Sequence, residues 1–427
     1  DGIRDIGVTG VQTCALPISP RPAFNRPSWR EVLIQMHQLF QQKREDILQQ
    51  ANQLMQHLQN ANAFGATASG LAETFSTETQ QTIAGQLLKQ ADSEWGGFGN
   101  APKFPQTFSL RFLLRHYHFT GYQPALDQVL LSLDKMIQGG IYDQAAGCFA
   151  RYSTDIRWQI PHFEKMLYDN ALLAVLLAEA YQVTGLNQYA RVLDETLQFV
   201  VSELGNGEQG YCSALDADSE GVEGKYYTWT YAEVQALLGT DADWFAEFFQ
   251  ITKEGNWEEV NILWSLQSRE AFAASRGWTE AETHEHFSNC FQKLMKARHQ
   301  RIRPLLDDKV LLGWNALMNR AFSAAFAATG KEAYRKLAID NMQFLEQAFA
   351  KPDGSWHHTY KNGESKIPAF LDDYAALIQA YIYLQEITGE ADYLNKAFKI
   401  TEWVLNNFLE ESTGFFYYTG KTQTDVV

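Results

Sequence analysis

Residues 171–204, ALLAVLLAEAYQVTGLNQYARVLDETLQFVVSEL, decide the fold. The first eleven, 171–181, are apolar on nearly every side, the pattern of a helix buried all round. Thr184-Gly185 interrupts them. Beyond the break Tyr189, Val192, Leu193, Leu197, Val200 and Leu204 recur every three or four residues, a single stripe on an otherwise polar helix. The pair therefore reads as an inner helix and an outer helix, with the glycine supplying a left-handed cap between them.

The same plan recurs along the chain. Thr-Gly turns stand at Thr120-Gly121, Thr184-Gly185, Thr329-Gly330 and Thr388-Gly389. In three of them a tyrosine follows the glycine by four residues: Tyr189, Tyr334 and Tyr393. Fourteen residues before the same three threonines stand Asn170, Asn315 and Tyr374, preceded by Asp169, Trp314 and Asp373; the first copy has Pro105-Gln106 there. A period near 60 residues carrying two helices is a repeated helical hairpin. The gap of 145 residues between the second and third turns has room for two units plus an insertion. Such hairpins stack as an open solenoid or close into an (α/α) toroid, and wholly buried inner helices favour closure.

Other segments depart from the plan. Residues 28–60 form a long amphipathic helix opened by a capping box, Ser28 with Glu31. Residues 205–265, rich in Gly, Asp and aromatics, read as an insertion with short strands, one of them Lys225-Tyr226-Tyr227-Thr228-Trp229. Phe415 to Tyr418 reads as a short strand. Residues 1–18 match the in-frame translation of a sequencing adapter and are set aside; they lack the basic and apolar regions of a secretory signal. The division expected is 1–18 artefact, 19–60 linker or remnant, and 61–427 toroid, incomplete at its C-terminal end.

Composition excludes some functions. A formal charge of −16 repels phosphate backbones, against nucleic-acid binding. No apolar run reaches membrane-spanning length. Cys148, Cys212 and Cys290, an odd set without CxxC, suit a reducing, cytoplasmic setting and make no zinc site or disulfide framework. No cofactor motif is present: the Gly-x-Gly of Gly97-Phe98-Gly99 lacks a strand–helix context.

Every motif that precedes an inner helix falls at one end of the bundle, so the chemistry is expected at that mouth. The densest stretch runs from Gly139-Gly140-Ile141-Tyr142-Asp143 through Arg151-Tyr152 to Trp158 and Pro161-His162-Phe163-Glu164-Lys165-Met166-Leu167-Tyr168-Asp169-Asn170. His162 can move a proton near neutral pH, and Glu164 or Asp169 can serve as acid, base or acceptor for a sugar hydroxyl. The structural alternative pairs Lys165 with Asp169 and Asp143 with Arg151. Asp216 and Asp218, with Trp229, are read as a loop over the mouth; their alternating carboxylates resemble a calcium loop but lack its later glutamate, so no metal is assigned. Asp307-Asp308 before Trp314-Asn315, and Asp372-Asp373-Tyr374, join acids to aromatics as a sugar would require, although either pair can simply cap a helix. Candidate catalytic groups are thus His162, Glu164, Asp169, Asp216, Asp218 and Asp373. Candidate ligand-binding groups are Asp143, Arg151, Tyr152, Trp158, Tyr168, Asn170, Trp229, Asp307, Asp308, Trp314, Asn315, Asp372 and Tyr374.

Five stretches, GGFGNAPKFPQ, GGIYDQAAGCFARYSTDIRWQIPHFEKMLYDNALL, SALDADSEGVEGKYYTW, DDKVLLGWNALM and FLDDYAALIQAY, make residues 95–380 resemble the thioredoxin domain-containing proteins of the YyaL type. The resemblance implies an all-α (α/α)6 toroid, like six-hairpin glycosidases and N-acylglucosamine 2-epimerases, behind a thioredoxin-like domain of which 19–27 would be the last trace. It carries over no redox residue. Gln144, Ala145, Ala146 and Cys148 depart from the family pattern. Two functions follow as expectations. One is an enzyme acting on a sugar-like small molecule, with paired acids in a hydrolase or a central histidine in an epimerase. The other is a non-catalytic glycan- or protein-binding module.

Overall fold

The computed structural model describes residues 27–62 and 76–423. The adapter-like leader, residues 19–26 and the last four residues lie outside the described residues. The chain divides into two compact units, one containing the N-terminal helices together with Glu410–Phe415, the other Phe75–Leu409 with Phe416–Lys421.

In the first unit the expected long helix is two, α1 (Trp29–Gln42) and α2 (Arg44–Asn62). Lys43, at φ −135° and ψ 38°, breaks it. The capping box forms as read: the Ser28 side chain accepts from Glu31 N, and the Glu31 carboxylate accepts from Ser28 N at 2.7 Å.

The second unit begins with α3 (Thr77–Gln90) and then builds four inner–outer hairpins. They are α4 (Thr107–Thr120) with α5 (Gln123–Gln138), α6 (Leu167–Thr184) with α7 (Asn187–Phe199), α12 (Leu312–Thr329) with α13 (Glu332–Phe349), and α14 (Leu371–Thr388) with α15 (Ala391–Phe408). The inner helices pack in the order α4–α6–α12–α14. Helices α6 and α12 are buried on all sides, whereas α7 buries the one stripe of Tyr189, Val192, Leu193 and Leu197. Arg111 of α4 brings the ends of the arc together. It donates Nε to Glu179 of α6 at 2.8 Å and Nη2 to the Tyr383 hydroxyl of α14 at 2.8 Å. This is an (α/α) toroid of helical hairpins.

The Thr-Gly turns work by one device. Gly121, Gly185, Gly330 and Gly389 all adopt φ near +70°, closing each inner helix in the left-handed region. Each threonine hydroxyl donates back one turn to the carbonyl of His116, Ala180, Ala325 or Leu384, at 2.6–2.7 Å. The following tyrosines then tie neighbouring outer helices. Tyr189 donates to Asp134 of α5 at 2.8 Å, and Tyr334 donates to Asp194 of α7.

The long middle gap carries no additional ring hairpin. Helix α6 packs directly on α12, and the intervening residues form an insertion with helices α8 (Tyr231–Leu238), α9 (Ala242–Phe248), α10 (Arg269–Arg276) and α11 (Glu280–Arg298) around their own aromatic core of Trp244, Phe245, Phe248 and Phe287. The expected strand at 225–229 does not form: it is turn, with only Trp229 bridged to Asn261. Likewise only Phe416 of the C-terminal aromatic run is bridged, to Leu409. Short strands gather before the inner helices: β1 (Tyr152–Ser153) with β2 (Pro161–His162), β3 (Lys165–Met166) with β4 (Ala214–Leu215) and β7 (Leu306–Asp307), β5 (Asp218–Ser219) with β6 (Val222–Glu223), and β8 (Val310–Leu311) with β9 (His357–Lys361) and β10 (Glu364–Pro368).

Candidate functional site

The β1–β2 ladder sets the geometry of the mouth. Its register places Tyr152 opposite His162, and their rings stack with centroids 5.1 Å apart. Phe104 covers the other side of Tyr152 at 4.7 Å. His162 Nδ1 lies 2.7 Å from Glu223 Oε1, and its Nε2 lies 3.5 Å from Glu164 Oε2. Glu164 in turn accepts from Arg151 Nη1 at 3.2 Å, and the two backbones are joined by Arg151 N donating to Glu164 O at 2.9 Å. One turn on, at the start of α6, Tyr168 meets Trp314 of α12 with ring centroids 4.8 Å apart. Asp169 stands beside them with Oδ2 buried and unpartnered.

The electrostatics split this set. Burial pushes the Asp169 carboxyl from 3.8 up to about 7; the nearby Glu164 charge adds to the rise, while Arg151 and Tyr168 oppose it. Glu164 is only partly buried, and its burial is outweighed by His162 and Arg151, which hold it below the usual glutamate value. Burial would lower His162, but Glu164 and Glu223 raise it to about 9, so at neutral pH it is an imidazolium clamped between two carboxylates. Two carboxyls with divergent environments, one titrating near neutrality and one ionised there, is the arrangement acid–base catalysts use. Among the described residues no group of three His, Cys, Asp or Glu is placed to hold a metal.

Several sequence candidates are buried and hydrogen-bonded within the fold. Asn170 accepts from Phe149 N at 2.8 Å and donates to Phe149 O at 3.0 Å; Asn315 treats Tyr211 in the same way, at 2.9 Å each. Both are wholly buried clamps that fix the incoming strand to the next inner helix. Tyr374 plays the matching part by accepting from Trp356 N at 3.1 Å. Asp373 is buried, accepting from Gly313 N at 2.8 Å and Phe370 N at 2.9 Å and pairing with His358 Nδ1 at 2.7 Å. Only glycine fits at 313, because a Cβ there would stand 2.7 Å from Asp373 Oδ1. Trp158 is buried and donates its indole N–H to Trp95 O at 2.8 Å. Trp229 is buried in the insertion, with the Arg301 guanidinium over its ring at 4.0 Å.

The proposed ion pairs also differ. Asp143 is buried and pairs with Arg298, and Lys165 points to Asp143 at 3.6 Å rather than to Asp169. Of the remaining acids, Asp307 and Asp308 are exposed and paired with Lys309 at 3.1 Å and Lys361 at 2.5 Å. Asp216 is exposed, its carboxylate accepting from Asp218 N at 3.3 Å, and Asp372 lies exposed beside Tyr418. What the structure brings together is therefore Arg151, Tyr152, His162, Glu164, Tyr168, Asp169 and Trp314. Glu223 completes the set. Glu223 lies within the stretch 213–229 with no local pattern to mark it; its place opposite Asp218 on the β5–β6 hairpin follows only from that pairing.

No family model matches the chain. Spermatogenesis-associated protein 20 from Homo sapiens is 30% identical over 437 aligned residues, covering 93% of this chain and 56% of that protein. The Mus musculus protein of the same name is 34% identical over 356 residues, covering 74% of this chain and 45% of its relative. The chain thus spans about half the length of the curated relatives it matches. Among solved structures, a sugar epimerase from a ruminal bacterium has 14% identity and a TM-score of 0.37, with 79% of this chain and 87% of that one covered. A family 105 glycoside hydrolase from C. acetobutylicum has 10% identity and a TM-score of 0.47, with 80% and 74% covered.

Proposed function

We propose that the mouth of the toroid binds a sugar-like small molecule and acts on it by carboxyl acid–base chemistry. Asp169 is the proton donor, Glu164 the ionised partner, and Tyr168 with Trp314 the apolar platform for the ligand's C–H face. The observation that carries this reading is the Asp169 carboxyl, raised to about 7 beside an ionised Glu164. Titrating near neutral pH, it can give its proton to a leaving or carbonyl oxygen, a step worth about 10²–10⁴ in rate for a positioned acid. The rings of Tyr168 and Trp314, from adjacent inner helices, form an aromatic corner next to that proton. An imidazolium held by two carboxylates has no lone pair to abstract a proton, so the arrangement supports a carboxyl pair of hydrolase type over a histidine base of epimerase type.

A second reading, a binding module without catalysis, draws support from how many acids are consumed by cations: Glu164 with Arg151, Glu223 with His162, Asp308 with Lys361. One experiment separates the two. Mono- and oligosaccharides are screened by calorimetry and by product analysis against wild type and Asp169→Asn. Turnover in the wild type that falls by 10²–10⁴ in a variant with unchanged affinity supports the acid–base reading. Binding without turnover in either protein supports the module, and no saccharide response in either removes both.

A further inference from the structure

Behind the mouth, the insertion closes onto the α5–α6 loop around a buried charge cluster. Asp143 and Arg298 are joined by Nη1 contacts of 3.0 and 2.9 Å to the two carboxylate oxygens. The Ala145 and Ala146 N–H groups, each at 3.3 Å, supply further donors to Asp143. Lys165 Nζ, on a side chain 2% exposed, stands 3.6 Å from Asp143 Oδ2, outside hydrogen-bond reach. Two cations thus face one carboxylate that already has its donors.

Two donors are left over here. Arg298 Nε and the Tyr227 hydroxyl are buried with no partner, and Lys165 Nζ lies over the Tyr227 ring at 4.5 Å. All three residues line one cavity, together with Asp143, Gln144 and the apolar Phe163, Ile262 and Leu263. The room open to the centre of a water-sized sphere is about 20 Å³, little more than the ~10–15 Å³ that a single water needs. Burying an excess cation in such surroundings is costly unless an anion accompanies it.

We propose that this cavity binds one monatomic anion of halide size, chloride in ordinary solution, held by Lys165 Nζ, Arg298 Nε and the Tyr227 hydroxyl. The small volume excludes phosphate, sulfate and carboxylate ligands. The site lies on the contact between α11 of the insertion and the loop that leads to β3, so the anion ties the insertion to the ring.

The test is thermal unfolding of the purified chain in chloride against gluconate at constant ionic strength, with bromide-soaked crystals examined by anomalous scattering. A saturable rise in Tm of about 2–4 °C with chloride is expected, with a bromide peak within contact of Lys165 and Arg298. Lys165→Met removes the excess charge and should lose the chloride dependence. Should that variant not fold, Tyr227→Phe should weaken half-saturation by about tenfold, one hydrogen bond to an anion. A Tm independent of chloride and a cavity without a bromide peak would overturn the proposal and leave water as the occupant.

Discussion

At the scale of residues, Asp169 is maintained at a disadvantage. A carboxyl raised from 3.8 to about 7 binds its proton more tightly folded than unfolded, so stability falls as pH rises through that interval. Converted at the usual rate, the ionised group costs the fold up to about 4 kcal/mol above pH 7. Asp169→Asn should therefore be more stable than wild type at pH 8 by a few kcal/mol in urea titrations, while losing turnover. Histidine 162 acts in the same sense by the opposite route. Its value rises from 6.5 to about 9, so its stabilisation is complete below pH 6.5 and gone above pH 9, about 3 kcal/mol in all. His162→Gln should flatten that part of the pH–stability curve, and an unchanged slope between pH 6.5 and 9 would remove the double clamp from the account. In turnover, the protonated Asp169 predicts a fall in kcat/KM above about pH 7, with the low-pH limb set by Glu164 below the ordinary glutamate range. The residue types at the mouth were legible as a set in 151–170. Their division of labour was not, because an isolated Asp-Asn or Glu-Lys pair carries no information on which oxygen is desolvated.

At the scale of elements, the repeat was legible because it is written in short-range chemistry. A Thr-Gly pair after an apolar run can be read from a hydroxyl that bonds back one turn and a glycine that tolerates positive φ. Gly185→Ala, in open space but at φ +68°, should cost about 1–2 kcal/mol from backbone strain alone, measurable by denaturant unfolding. The position fourteen residues earlier recurs beside acids and aromatics, and in the structure Asn170, Asn315 and Tyr374 each fasten the incoming segment of a hairpin. Asn315→Ala strips the partners from Tyr211 N–H and C=O together, and about 3 kcal/mol of stability should be lost with little effect on saccharide affinity. The helices of the insertion pack around their own aromatic core of Trp244 and Phe287 rather than on the ring pattern that marks the hairpins.

At the scale of the whole molecule, an arc of four inner helices holds its axis together with charge as well as apolar packing. Arg111 joins α4, α6 and α14 through Glu179 and Tyr383, with both ion-pair partners mostly buried. Arg111→Met leaves Glu179 with only the exposed Arg115 at 3.4 Å. A loss of about 2–3 kcal/mol is expected, with hydrogen exchange quickening first in α4 and α14, the ends of the arc that Arg111 joins. Protection lost uniformly over all four hairpins would argue that the arc has no such weak end. The outer helices are tied in series by Tyr189 to Asp134 and Tyr334 to Asp194, so the spacing of the tyrosines in the sequence is the spacing of these links.

The central claim is that Asp169 titrates near neutrality while its neighbour Glu164 is already ionised there. Carboxyl ¹³C labelling of aspartate, titrated from pH 3 to 9 and compared with Asp169→Asn to assign the missing signal, measures it directly. The account predicts a resonance with its midpoint about pH 7, shifting when a saccharide fills the mouth. A midpoint near 4, unmoved by saccharides, would contradict it and return Asp169 to the structural residues.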